Sequence, residues 1–140
     1  MKLTSHFTVE ELTTTNRKDY AEANKKRALQ DFSLLMRLSF FAEQVRYILG
    51  VPMTITSGYR EYDLNILVGG SANSQHLLFE AIDFIPKGMS IDKAFKILKD
   101  SKMLFGQLIK EKSGNSEWIH ISIGEKRQCL AYKNGKYESA

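Results

Sequence analysis

The chain is predicted to be an α+β domain in which a small antiparallel sheet packs against helices. Three observations point there. Helical periodicity dominates the first third of the sequence, and short strand-like runs dominate the rest. Near the end, Asn134-Gly135 sits between two such runs and marks a hairpin. The 140 residues match one ordinary domain, residues 1–140, and suffice to bury a core without disulfide or metal staples.

Each element has its own signal. Thr8-Val9-Glu10-Glu11 reads as a capping box and predicts a short helix through about Leu12. Over 21–49 the spacing of Ala28, Phe32, Leu35, Phe41, Val45 and Ile48 predicts one long helix, stopped by Gly50 and Pro52. A strand is expected over 53–56, ending at Ser57-Gly58, and Gly69-Gly70-Ser71 reads as a turn. A second strand, 81–85, is closed by Pro86. Ser90 caps a helix running to about Ser101, with Ile91, Phe95 and Leu98 facing inward. Two further strands are expected over 104–110 and 118–123, and the hairpin joins 129–132 to 136–137.

Composition narrows the class. Hydrophobic residues make up 43% and charged residues 26%, which excludes disordered and fibrous chains. No apolar run is long enough for a bilayer, and the first seven residues lack the core of a secretory signal, so synthesis in the cytoplasm without a signal peptide is expected. The single cysteine, Cys129, excludes an internal disulfide and a cysteine-based zinc knuckle, and reads as a small core residue. The net charge of +4 comes from dispersed basic residues. No nucleic-acid motif accompanies it, so no nucleic-acid or membrane partner is expected, and the chain is expected to be a monomer.

Two of the three histidines sit in segments with chemical potential. In Glu117-Trp118-Ile119-His120, strand alternation turns Ile119, Ile121 and Ile123 to the core and His120 to the other face with Trp118 and Ser122. Glu117 points away from His120 on an ideal strand; a bulge after the Gly114 turn would bring it round. In Ser74-Gln75-His76-Leu77-Leu78-Phe79-Glu80-Ala81-Ile82-Asp83, His76 and Asp83 are seven apart. An unbroken strand would separate them too, so they meet only if the chain bends across 77–79; otherwise they do not meet. Two neutral imidazoles and one carboxylate are a ligand set for catalytic zinc. A carboxylate such as Glu117 would then move the proton, and Arg60 would hold a substrate carboxylate or an oxyanion.

The pattern Ser-x-His, six residues, Asp, and later Glu-x-x-His resembles the zinc peptidases that act on peptidoglycan stems. These are the D-Ala-D-Ala carboxypeptidases and dipeptidases and the L-alanyl-D-glutamate endolysins of phages, whose metal-site architecture is shared with the hedgehog signalling domain. The runs Ile55-Thr56-Ser57-Gly58-Tyr59-Arg60, Leu64-Asn65, Val68-Gly69-Gly70-Ser71 and Phe7-Thr8-Val9-Glu10-Glu11-Leu12 are similar to the small single-domain members. The resemblance implies a hedgehog/D-Ala-D-Ala peptidase-like fold and one Zn(2+) per chain, held by His76, Asp83 and His120. It implies Glu117 as general base and acid, Arg60 as the stabilising cation, and Ser74 as a substrate contact at the site edge. The implied partner is a peptidoglycan stem peptide. The implied setting is the cell wall, reached by holin-dependent release or from a phage particle. Phe79 stands where the family usually has glycine. That departure supports the alternative, a non-catalytic module of the same fold, such as a phage structural or peptide-binding protein.

Overall fold

A computed structural model describes residues 1–140. Its helices are α1 (Val9–Leu12), α2 (Ala21–Leu29), α3 (Phe32–Leu49), α4 (Tyr62–Leu67) and α5 (Ile91–Asp100). Its strands are β1 (Met53–Ser57), β2 (Ala81–Pro86), β3 (Gln107–Ser113), β4 (Ser116–Ser122), β5 (Gln128–Lys133) and β6 (Lys136–Ser139). The α+β class is as expected. The capping box at Thr8 closes in both directions, Ser90 Oγ accepts from Lys93 N, and Gly50 ends α3 in the left-handed region.

The six strands form one sheet in the order β1-β2-β4-β3-β5-β6. Every neighbouring pair is antiparallel except β3 and β5, which run parallel. Parallel neighbours normally need a long crossover. Here β4 ends beside the start of β3, with Leu108 opposite Ile121, so residues 123–127 reach the far edge of β3 directly. This short path needs two close-packed glycines. A Cβ on Gly106 would stand 2.7 Å from Ser122 Oγ, and one on Gly124 would stand 2.8 Å from the Gly106 Cα.

Alternation divides the sheet into two faces. Met53, Ile55, Ile82, Phe84, Leu108, Ile119 and Ile121 are buried with Leu35, Leu38, Val45, Phe95 and Leu98 in one core under the helices. The intervening residues Asp83, His120, Trp118 and Glu111 occupy the opposite face. The helices therefore anchor one side of the sheet and leave the other to carry chemistry.

Three expectations are corrected. The helix over 21–49 is two helices, because Gln30 and Asp31 donate to Arg27 and Ala28 carbonyls, i to i−3, and tighten the end of α2. The turn reorients α2 so that buried Asn24 reaches the Thr13 and Tyr59 carbonyls. The strand expected from 104 starts at Gln107, since Phe105 is buried in the core and Gly106 packs on Gly124. Helix α4 was not anticipated; the Glu61 side chain caps it by accepting from Leu64 N.

Candidate active site

The bend that the spacing of His76 and Asp83 demands is present. Ser74 caps a 3-10 turn, Gln75–Leu78, its hydroxyl accepting from His76 N at 3.2 Å. Phe79 closes that turn at φ 58° and ψ 33°, in the left-handed region. The chain then enters β2. A side chain there costs about 1–2 kcal/mol relative to an ordinary conformation. The phenyl ring is buried and stacks on Tyr59 at 4.0 Å between centroids. Phe79 thus adopts the glycine-like backbone while its side chain joins the core, clear of the cleft.

The turn delivers His76 to a pair already formed in the sheet. Asp83 and His120 face each other across β2 and β4. Asp83 Oδ1 lies 2.9 Å from His120 Nδ1 and 3.4 Å from His76 Nε2. One donor atom from each residue falls within 4.8 Å of the others. The remaining ring nitrogens are engaged. His76 Nδ1 is 2.7 Å from the Gly58 carbonyl, and His120 Nε2 is 2.9 Å from Gln75 Oε1. Both acceptors require an N–H, which leaves His76 Nε2 and His120 Nδ1 as the nitrogens facing Asp83, the ones that would offer lone pairs to a cation. Gly58 is constrained to be glycine, since a Cβ would stand 2.2 Å from the Leu12 carbonyl oxygen.

This donor set fits a zinc ion. Ligand atoms about 2.0–2.2 Å from a tetrahedral zinc stand about 3.3–3.6 Å apart; the 3.4 Å between His76 and Asp83 matches, and the 2.9 Å between His120 and Asp83 is shorter. The electrostatics agree. Burial pushes the Asp83 carboxyl up, but the His76 charge and the hydrogen bonds from both imidazoles hold it well below the usual carboxylate range. Burial lowers His120, yet the Asp83 hydrogen bond and charge, with help from Glu111, raise it overall.

Around the three donors opens a cleft of about 700 Å³, lined also by Arg60, Ser74, Gln75, Glu111 and Trp118. Arg60 is half-buried, donating through Nη1 to Asn65 Oδ1 at 2.9 Å and through Nη2 to Ser57 Oγ at 3.2 Å. A Cβ on Gly70 would come within 2.1 Å of Asn65 Oδ1, so that glycine is what lets the arginine clamp close. Ser74 acts on the site through its cap as well as by lining the cleft.

Glu117 does not join the cluster. The ladder from Ser113–Ser116 to Leu108–Ile121 pairs residue by residue, with no bulge. Glu117 therefore stays on the face opposite His120, half exposed, 3.5 Å from Lys112. The carboxylate on the donors' own face is Glu111, directly across from Trp118. Its Oε2 accepts from Trp118 Nε1 at 2.5 Å. Burial and the Asp83 charge raise it above the ordinary glutamate range. Sequence reasoning missed Glu111 because the strand over 104–110 was ended one residue early. Register counted from the Gly114 turn would have found it.

The sequence pattern of the Peptidase M15 family matches residues 5–122. No curated protein matches the chain. The matched span contains every donor, both supporting acceptors, Arg60 and Glu111, and it covers most of the 140 residues. The chain belongs to the Peptidase M15 family.

Proposed function

We propose that the protein is a zinc-dependent peptidase that hydrolyses an amide bond in peptidoglycan stem peptides. The observation that carries this is the convergence of His76, Asp83 and His120, with both spare ring nitrogens already tied to Gly58 and Gln75. Zinc held by those three residues would make hydroxide available near neutral pH and polarise the scissile carbonyl. Glu111 takes the proton of the attacking water and returns it to the leaving nitrogen, a role its raised affinity for protons suits. Arg60, anchored by Asn65 and Ser57, offers its charge to the oxyanion or to a substrate carboxylate. Trp118 orients the Glu111 carboxylate.

The seat of Phe79 supports a catalytic reading over a non-catalytic module, since the ring is stacked on Tyr59 rather than placed in the cleft. The same reading puts the protein's action at the cell wall, after release from the cytoplasm or delivery by a virion, as a monomer. The test is metal analysis of the purified protein followed by incubation with purified muropeptides, read by mass. One zinc per chain and zinc-dependent fragments are expected. Intact muropeptides after incubation with the zinc-loaded protein would overturn the proposal.

A further inference from the structure

Residues beyond 122, where the family pattern ends, build one wall of the cleft. Ile123, Gly124, Glu125, Lys126, Gln128 and Tyr137 all line it. They belong to the short crossing after β4 and to the β5–β6 hairpin. This wall is held in place at several points. The Arg127 guanidinium donates to the carbonyls of Lys99, Ser101 and Met103 and lies over the Phe105 ring at 4.5 Å. Strand β5 pairs along β3 from Gln107–Gln128 to Lys112–Lys133, and Ala140 N donates to the Cys129 carbonyl at 3.0 Å.

The strand register gives the hairpin a place in the site. Trp118 pairs with Glu111, Glu111 with Tyr132, and Tyr132 with Tyr137. Paired residues share a face of a sheet, so these four form one row on the face of the metal donors. Tyr137 ends the row. Its ring is braced by Tyr132 at 4.7 Å between centroids, yet the residue stays 58% exposed. Burial raises the Tyr137 phenol above its ordinary range, and the charges of Glu111 and, more weakly, Asp83 add to this. Charge does not distinguish the wall itself. Glu125 and Lys126 stand side by side on it and offset each other, and Gln128 is tied to Gln107 at 2.9 Å. The Tyr137 ring remains, a flat apolar face in a cleft lined mostly by polar residues.

Neighbouring strands stand about 4.8 Å apart, so β6 is about 14 Å from β4, the strand of His120. An extended peptide covers that span in about four residues. A substrate held at the donors therefore meets Tyr137 away from the bond that reacts.

We propose that the β5–β6 hairpin is a substrate-recognition element outside the matched family pattern, and that Tyr137 is its specificity-determining residue, its ring stacking on the peptide chain at a distance from the scissile bond. This rests on the peptidase reading above and adds which part of this chain reads the remote part of the substrate.

The test compares the full chain with Tyr137→Ala and Tyr137→Phe, using the pentapeptide L-Ala-γ-D-Glu-L-Lys-D-Ala-D-Ala. Tyr137 lies on an exposed edge strand, so both variants are expected to fold and to bind zinc as the parent does. Two readouts are taken. Initial rates of the zinc-loaded proteins, with products read by mass, give kcat and KM. Quenching of Trp118, the single tryptophan and a residue of the cleft, gives the Kd of the metal-free proteins for the same peptide. For Tyr137→Ala, KM and Kd are expected to rise at least tenfold with kcat within about threefold of the parent. Tyr137→Phe keeps the ring and is expected to stay within about threefold in all three. Parent-like KM and Kd in Tyr137→Ala overturns the proposal and leaves the peptidase reading standing. Loss in Tyr137→Phe equal to that in Tyr137→Ala overturns the ring as the recognition group. A pentapeptide that the parent neither binds nor cuts overturns the proposal; if muropeptides also stay intact, the peptidase reading falls with it.

Discussion

Replacing Phe79 with glycine or alanine separates two opposing contributions at the bend that brings His76 to Asp83. Removing the buried ring forfeits its transfer energy and leaves a cavity beside Tyr59, about 3–5 kcal/mol for a core phenylalanine. Glycine at φ 58° releases the left-handed strain, about 1–2 kcal/mol, while loosening the unfolded chain costs about 0.4–1 kcal/mol. The net for Phe79→Gly is a loss of about 2–4 kcal/mol. Phe79→Ala loses the same ring but keeps a Cβ in the strained region, so it is expected to be less stable than Phe79→Gly by up to about 1 kcal/mol. At ordinary backbone angles the order is reversed, with alanine the more stable by about 0.4–1 kcal/mol. Urea denaturation of the three proteins side by side measures the order through the midpoints at constant slope. Alanine more stable than glycine would refute the claim that this chain stores strain at residue 79.

Two further outcomes concern the donors. Gln75→Ala removes the acceptor of His120 Nε2 and is expected to weaken zinc binding about 10–100-fold, with the fold retained; a competition titration with a chromophoric chelator reads this, and unchanged affinity would count against the tautomer assignment. Zinc affinity is also expected to fall as pH drops. The metal needs a neutral His120, whose folded pKa is raised above its ordinary value. Below that pKa each pH unit costs about tenfold in affinity from this ring. For the metal-free protein the sign is opposite. Stability contributed by protonated His120 is present below its unfolded pKa and is lost as pH rises through the folded value. Zinc titrations and metal-free melts between pH 5 and pH 8 check both; parallel trends would contradict the shared Asp83–His120 site.

Much of this was legible in the sequence because it depends on local rules. Thr8, Ser90 and Gly50 mark helix ends by short-range chemistry, and alternation around Ile119 and Ile121 assigns His120 its face. The need for a bend between His76 and Asp83 followed from strand geometry alone. What escaped depends on long-range pairing. The break between α2 and α3 serves Asn24, whose partners lie 11 and 35 residues away. The parallel place of β5 depends on Gly106 meeting Gly124. Glu111 was hidden because its importance comes from facing Trp118 across a hairpin, whereas Glu117 stands in the motif but is turned by regular pairing to the other side of the sheet.

The assignment of Glu111 as the proton-transferring group is tested most directly by comparing Glu111→Gln with Glu117→Gln, each checked for one bound zinc, in muropeptide hydrolysis. Glu111→Gln is expected to lower kcat about 10²–10⁴-fold, with Glu117→Gln within about threefold of the parent. Full activity in Glu111→Gln, with the loss appearing in Glu117→Gln instead, would contradict it.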